Sequence, residues 1–296
     1  MLTAVCAGCL FPHMQEIFPD AEKVAGILRK RLSARGIECA AIVEESLGST
    51  NSEGVRILKA GRRAPFAVIA LNQTSGRGRV ARKWFSKRGA SVALSVCVEI
   101  GRTAEEMESF TVRAGLGVCS ELKKLCGAEL FLKWPNDVYV EERKIAGILS
   151  ESARIEQGHV TGVVSGIGIN VNLPGSLLET IDQPATSLLF ATKNEFNVEI
   201  LLKKLAEILI RYYITYPKCA AGLLFEWKSE NRLVGETISV TDPQGKSHTG
   251  IFRDILPDGG MVLEEAGSLR VFTCGDVKID RASVDWERVR NKRKID

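Results

Sequence analysis

Between residues 129 and 171, four apolar, β-prone runs follow one another with almost nothing between them: ELFLKW, DVYV, KIAGILSES and HVTGVVSGIGINV. The intervals hold turn formers, such as Pro135-Asn136 and Glu141-Glu142-Arg143, and too few residues for a helix. Strands joined this closely are hairpins. Before them AIVEES, PFAVIALN and VALSVCVEI read as further strands, and Ser52 to Ala60 as a short helix stopped by Gly61. Thr103 with Glu106 three residues on forms a capping box, opening a helix to about Cys126 ahead of Gly127. Val198, Leu201, Leu202, Leu205, Ile208 and Tyr212 mark a long amphipathic helix. Val24, Ile27, Leu28 and Leu32 mark another, capped by Asp20 and ended by Gly36. Hairpin-joined strands with helices segregated to one side define an α+β fold.

The pattern changes at residue 235. ETISVTD, KSHTGIFRDI, MVLEE, LRVFT and VKI are short strands separated by Pro and Gly turns, which describe a small β-barrel over 235–280. The expected organisation is a short N-terminal segment with one helix (1–40), a large mixed domain (41–230), the barrel, and a basic tail (281–296).

Composition excludes several classes. An apolar share of 45% with 26% charged residues is that of a globular chain rather than a disordered one. No run approaches the roughly 18 apolar residues of a membrane-spanning helix. Forty basic against 36 acidic residues leave only +4, too little for a protein that grips nucleic acid chiefly by neutralising phosphates. Part of that excess is Arg288, Arg290, Lys292, Arg293 and Lys294, a solvated tail. Only Cys6 and Cys9 are close in sequence, and no second close pair completes a thiolate zinc site, with or without His13. Thiols in apolar runs, such as Cys97 in ALSVCVEI, read as buried and free in a reducing compartment. The opening MLTAVCAGCLF lacks the basic start of a secretory signal, and Met14 offers an alternative start. Cytoplasm is the expected location.

Three clusters carry chemistry. Gln73-Thr74-Ser75-Gly76-Arg77-Gly78-Arg79-Val80-Ala81-Arg82-Lys83-Trp84 directly follows an apolar strand. Glycines let backbone N–H groups approach an anion, and arginines supply permanently charged donor forks. The loop suits carboxylate and phosphate; the plainer alternative is a solvated basic hairpin. No Gly-Lys-Ser/Thr comes after it, so it is not a Walker loop. Next come Lys133-Trp134-Pro135-Asn136-Asp137 and, on the following strand, Lys144. A turn at Pro135 lets Lys133 and Asp137 face one pocket, and Ala146 and Gly147 leave room for a ligand beside Lys144. Without context, Lys144 is a solvated edge charge. The third cluster, Gly48-Ser49-Thr50-Asn51, is by itself a helix N-cap. His13, His159 and His248 lie outside all three clusters, so nothing supports a Ser/His or Cys/His mechanism.

Together these clusters resemble the biotin–protein ligases (biotin–acetyl-CoA-carboxylase ligases). The resemblance rests on GSTN at 48–51, QTSGRGRVARKW at 73–84, KWPNDV at 133–138, KIAGIL at 144–149 and GIGINVN at 166–172, in order across roughly 41–280. It implies a class II aminoacyl-tRNA synthetase-like catalytic domain with a mixed sheet, followed by an SH3-like barrel. It also implies activation of biotin with ATP to biotinyl-5′-AMP and pyrophosphate, then transfer to one lysine of a biotin carboxyl carrier domain of acetyl-CoA carboxylase or a related carboxylase. By that resemblance Ser49, Thr50, Asn51, Gln73 and Gly147 bind biotin. Arg77, Gly78 and Arg79 close over its carboxylate and the α-phosphate, and Lys144 sits beside the reacting carboxylate. Arg77, Arg79 and Lys144 are thus the catalytic set. Arg79, Arg82, Trp84, Lys133, Asn136, Asp137 and Asn170 face ATP, and Mg²⁺ comes mainly on the phosphates with Asp137 as a protein ligand.

Two features depart from the family pattern. Ala81 stands where the family loop has a glycine, and the N-terminal DNA-binding domain of bifunctional members is expected to be absent. The second feature, with the near-neutral charge, argues against DNA as a partner; the resemblance implies a monomer or homodimer. Three other readings stand beside this one. A lipoate–protein ligase shares fold and adenylation chemistry, but Gln73 and the Gly-Arg loop favour biotin. A biotin-sensing transcriptional regulator requires sequence-specific DNA binding. A catalytically dead binding module is at odds with a full set of site cations.

Overall fold

The computed structural model describes residues 21–103, 106–215, 227–273, 275–278 and 284–291. Seven strands form one sheet: β1 (Ala40–Glu44), β2 (Phe66–Ala70), β3 (Ser91–Thr103), β4 (Leu130–Lys133), β5 (Asp137–Val140), β6 (Arg143–Glu156) and β7 (His159–Asn170). Their order is β1-β2-β3-β7-β6-β5-β4. β4 to β7 run as successive antiparallel hairpins, as their short connections require. The β1–β2 pair is parallel and therefore needs a crossover, which α2 (Thr50–Lys59) supplies.

The helices do not all lie on one side, contrary to expectation. α1 (Ala21–Ser33), α3 (Glu106–Cys126) and α6 (Val198–Thr215) cover one face, where Ala67 and Ile69 join the main core. The other face holds Phe66, Val68, Cys97 and Val164 and is covered by α2 through Leu58. The cause lies in β2: FAVIA is apolar and buried at every position, so both of its faces need a lid. Between β7 and α6 lie two short helices, α4 (Gly175–Leu178) and α5 (Leu188–Thr192).

Local expectations mostly survive with small shifts. α1 buries Val24, Ala25, Leu28 and Leu32, so Ala25 replaces Ile27 in the stripe, and Gly36 follows at φ +70°. α6 buries Leu205, Leu209 and Ile210, with Ile208 half-buried. Cys39, Cys97, Cys119 and Cys126 are free thiols; burial pushes Cys39 up to about 12 and Cys126 up to about 11, and raises Cys97 as well. The expected cap Asp20, the Cys6/Cys9/His13 group, Met14, Cys219, Cys274 and Lys292 to Lys294 lie outside the described residues, as do the side chains of Thr103, Glu106 and Tyr212.

A second sheet comprises β8 (Thr237–Thr241), β9 (Ser247–Ile255), β10 (Met261–Glu265), β11 (Ser268–Phe272) and β12 (Asp276–Lys278), in the order β11-β10-β9-β8-β12. All its pairs are antiparallel, and among the described residues no ladder joins β11 to β12 to close a barrel. Its apolar side chains Ile238, Val240, Phe252 and Leu263 are continuous with the main core. Trp134, fully buried at the end of β4, donates its indole N–H to Gly259 O at 2.8 Å and so ties the two sheets together. No helix among the described residues is long and apolar enough to cross a membrane.

His248 on β9 is buried between two carboxylates, with Nδ1 3.2 Å from Glu265 and Nε2 3.2 Å from Asp242. The hydrogen bond from His248, aided by its charge and that of Arg270, holds Glu265 below the usual carboxylate range. At Asp242 burial pushes the carboxyl up, but the Lys246 N–H and His248 outweigh it and hold the group low. A depressed folded-state value gives stability that is present above the unfolded value and lost as pH falls through the folded one. Acid unfolding should therefore include a loss below about pH 4 that His248→Asn makes shallower. Parallel acid titrations of the melting temperature check this, and equal slopes for the two proteins would refute it.

Candidate active site

The site begins with a break in strand alternation. β6 carries an irregularity opposite Val138/Tyr139, so Lys144 pairs with Tyr139 and Ala146 with Val138. One extra residue on a strand switches the faces of the residues after it. Ile145 and Ala146 consequently both enter the core, while Lys144 and Gly147 share the opposite side. Ala146 is core and leaves no room for a ligand; the space over Gly147 holds the Lys144 and Trp84 side chains. Period-two counting from Gly147 then brings Leu149 and Glu151 to the cleft side.

Gly147 pairs directly with Gly168 of β7, and the indole of Trp84 lies over both. A Cβ at Gly168 would collide with the ring, and one at Gly147 would lie 3.2 Å from it. Two positions along, a Cβ at Gly166 would collide with the Asn51 amide. The GIGIN alternation is thus two isoleucines packed into the core and two glycines admitting side chains from above.

These elements bring thirteen of the expected residues around one cleft of about 750 Å³, open to solvent in part. Ser49, Thr50, Asn51 and Gln73 line one end. Ser49 is indeed the N-cap of α2, its Oγ accepting from Ser52 N at 3.5 Å. Gln73 Oε1 accepts from Thr50 N at 2.8 Å and from Thr50 Oγ1 at 3.2 Å, which points its amide –NH₂ the other way. Buried Ser95 reaches both Thr50 Oγ1 (2.8 Å) and Asn51 Oδ1 (2.7 Å). Asn51 Nδ2 donates to Leu149 O and to Glu151, so its amide is saturated by protein partners.

The other end is cationic. Arg77, Gly78, Arg79 and Arg82 line it with Asn136, Asp137, Lys144 and Gly147. Lys144 Nζ lies 2.8 Å from Asp137 Oδ1 and 5.5 Å from the centre of the Trp84 ring, with both the lysine and aspartate side chains largely buried. Arg79 donates to Asn136 Oδ1 at 3.3 Å, and Asn136 in turn donates to Ile148 O. Arg77 forms an ion pair with Glu151. The Trp84 N–H is buried without a hydrogen-bond partner among the described residues, a state costing about 1–3 kcal/mol until something accepts from it.

Two expected residues stand outside the lining. The Lys133 ammonium lies against Tyr139, 3.2 Å from its hydroxyl and 4.9 Å from its ring centre. Asn170 is buried and donates to Thr186 O at 3.0 Å, bracing the 184–186 segment that also pairs with the Lys144 backbone. Sequence reasoning missed Glu151, Ser95 and Gln183. The signals for Ser95 and Glu151 were a lone polar residue in an apolar strand and the alternation from Gly147. No group of three or more His, Cys, Asp or Glu among the described residues could hold a metal.

The Gly-Arg loop is a hairpin closed by Trp84 N→Gly76 O and Gly78 N→Arg82 O, both 2.8 Å. At its tip Val80 and Ala81 take φ of +51° and +56°. Left-handed backbone costs an L-residue roughly 1–2 kcal/mol, which glycine avoids at the expense of unfolded-state entropy. Ala81→Gly should leave the melting temperature unchanged or slightly raised; a clear fall in calorimetry would contradict this backbone.

Comparison with known proteins agrees with this architecture. The family model "Biotin/lipoate A/B protein ligase family" matches residues 45–170. A biotin–[acetyl-CoA-carboxylase] ligase of Mycobacterium tuberculosis is 33% identical over 239 residues, 78% of this chain and 85% of that protein. The Paracoccus denitrificans protein of the same name is 31% identical, over 77% of this chain and 96% of its own length. The structure of a biotin protein ligase from Aquifex aeolicus in complex with biotin and ATP matches with a TM-score of 0.64 at 26% identity, covering 80% of this chain and 97% of that one. The chain belongs to the biotin–protein ligase family.

Proposed function

We propose that this protein activates biotin with ATP and transfers it to a lysine of a biotin carboxyl carrier domain. One observation carries the reading: a cleft with an uncharged hydrogen-bonding end and a cationic end, walled by an indole on a two-glycine floor. The uncharged end suits the ureido ring, with the Gln73 amide donating to its carbonyl and the Ser49 hydroxyl meeting an edge of the ring. A site that pairs buried polar groups rejects analogues lacking them, which is how biotin would be told from lipoate.

The cationic end suits the reaction. The biotin carboxylate oxygen attacks the α-phosphorus, forming the acyl–phosphate bond and breaking the bond to pyrophosphate. The barrier is largely repulsion between anions, so Arg77, Arg79 and Lys144 lower it by neutralising the crowded oxygens as charge moves to the leaving group. Asp137 keeps the Lys144 ammonium aimed at that point. Trp84 offers its face to the adenine and its unpartnered N–H to a polar edge. Arg82 and Asn136 belong to the ATP side, with Lys133 and Asn170 supporting it from behind. With so few acids present, Mg²⁺ would be held mainly by phosphates with Asp137, supplying further charge neutralisation. In the second step the neutral amine of the carrier lysine attacks the acyl carbon and AMP leaves.

The finer fold reading belongs with this function. We take 41–230 as a class II synthetase-like catalytic domain and 235–280 as an SH3-like module, supported by five short strands and the bulge at Val262/Leu263. The raised, buried thiols suit a reducing compartment such as the cytoplasm.

Incubating a biotin carrier domain with the protein, ATP, Mg²⁺ and biotin should add one biotin to one lysine by mass spectrometry. No mass change, or a lipoyl adduct when lipoate replaces biotin, would defeat the reading. Lys144 gives a sharper test. Lys144→Gln keeps a donor for Asp137 and should melt near wild type, yet form adenylate on the order of a hundredfold more slowly, about 3 kcal/mol. Lys144→Arg should rescue little, because a planar fork does not replace a compact point charge. A Gln variant near the wild-type rate would return Lys144 to the surface.

A further inference from the structure

Glu151 is an acid at the rim of a site for two anions, where its charge opposes binding of both substrates. It does not stand there for stability: its ion pair with Arg77 is partly exposed, at 25% and 43% of the side chains, and pairs so exposed contribute little. What distinguishes it is what it joins. One carboxylate oxygen takes the Arg77 guanidinium, and the other accepts from Asn51 Nδ2 at 2.8 Å.

Both partners are fixed from elsewhere as well. Asn51 is held by Leu149 O at 2.9 Å and by Ser95, and its amide rests on the backbone of Gly166. Arg77 gives its other terminal nitrogen to Ser52 Oγ at 2.9 Å, on the first turn of α2. Glu151 is therefore the link through which the rigid uncharged end of the cleft sets the direction of a long, flexible cation on the Gly-Arg loop. An arginine anchored at both terminal nitrogens has lost its rotamer freedom before substrate arrives, so less is left to be lost in the transition state.

We propose that Glu151 is a positioning residue for adenylation, acting through Arg77: it holds the guanidinium against the place where the biotin carboxylate meets the α-phosphate. The proposal rests on the biotin–ATP reading of the cleft and adds a residue to it.

The test is biotin-dependent exchange of labelled pyrophosphate into ATP, with biotin affinity measured separately by calorimetry. Glu151→Gln keeps an oxygen for Asn51 but removes the charge that holds Arg77. Its exchange kcat should fall about tenfold or more, the order of loss when one oriented charge is released, and biotin Kd without ATP should rise by a smaller factor, since Arg77 also meets the biotin carboxylate. Arg77→Gln should lose at least as much, and the double variant should be no slower than Arg77→Gln alone, because both changes remove one function. Should Glu151→Gln fail to fold, Glu151→Asp takes its place, since a side chain one methylene shorter keeps the charge but not the reach. Exchange at the wild-type rate, tighter substrate binding, or losses that multiply in the double variant would overturn the proposal while leaving the ligase reading intact. A wild-type protein with no biotin-dependent exchange would overturn the ligase reading itself, and the proposal with it.

Discussion

Everything in the cleft depends on the pairing of Gly147 with Gly168 at the centre of the main sheet. Two adjacent strands present bare backbone at the same level, and an indole lies on it. Any larger residue at Gly168 would lift Trp84 off the sheet, and with it the aromatic wall of the cleft beside Lys144. The irregularity in β6 completes the arrangement by turning Lys144 to the same side as Gly147. In a strand regular through these positions, alternation would put Lys144 and Gly147 on opposite faces.

The second constraint is electrostatic. The loop cations and Lys144 crowd into one cleft, and the structure meets their repulsion with partners inside it: Asp137 for Lys144, Asn136 for Arg79 and Glu151 for Arg77. These partners orient each cation. On the proposed reading, donors already aimed would gain most where negative charge concentrates, so the loop would act on the transition state rather than on binding alone.

Much of this was legible in the sequence. Hairpins follow from connections of two or three residues between 129 and 171, and a basic, glycine-bearing loop after an apolar strand is a recognisable anion device. The features that stayed hidden depend on register and tertiary company. Nothing local in KIAGIL announces an extra residue, so Ala146 looked like ligand space when it is core. Lys133 and Lys144 look alike, each at a strand end beside a turn, yet only Lys144 lines the cleft while Lys133 lies against Tyr139. Asn51 lines the cleft, but its bonds to Leu149, Glu151 and Ser95 come from other strands and have no local signal. The position of α2 opposite the other helices was implicit in a β2 without a polar residue, a signal that hairpin reasoning passes over.

The central claim is that one cleft holds both reactants in a defined order, ureido ring at Gln73 and reacting centre between Arg79 and Lys144. The most direct measurement is a crystal structure with a non-hydrolysable biotinyl-adenylate analogue bound. The expected result is the bicyclic ring within hydrogen-bond distance of the Gln73 amide, the acyl–phosphate linkage between Lys144 and Arg79, and adenine against Trp84. An analogue bound in the reverse orientation, or one whose acyl–phosphate linkage lies out of reach of Lys144, would contradict it.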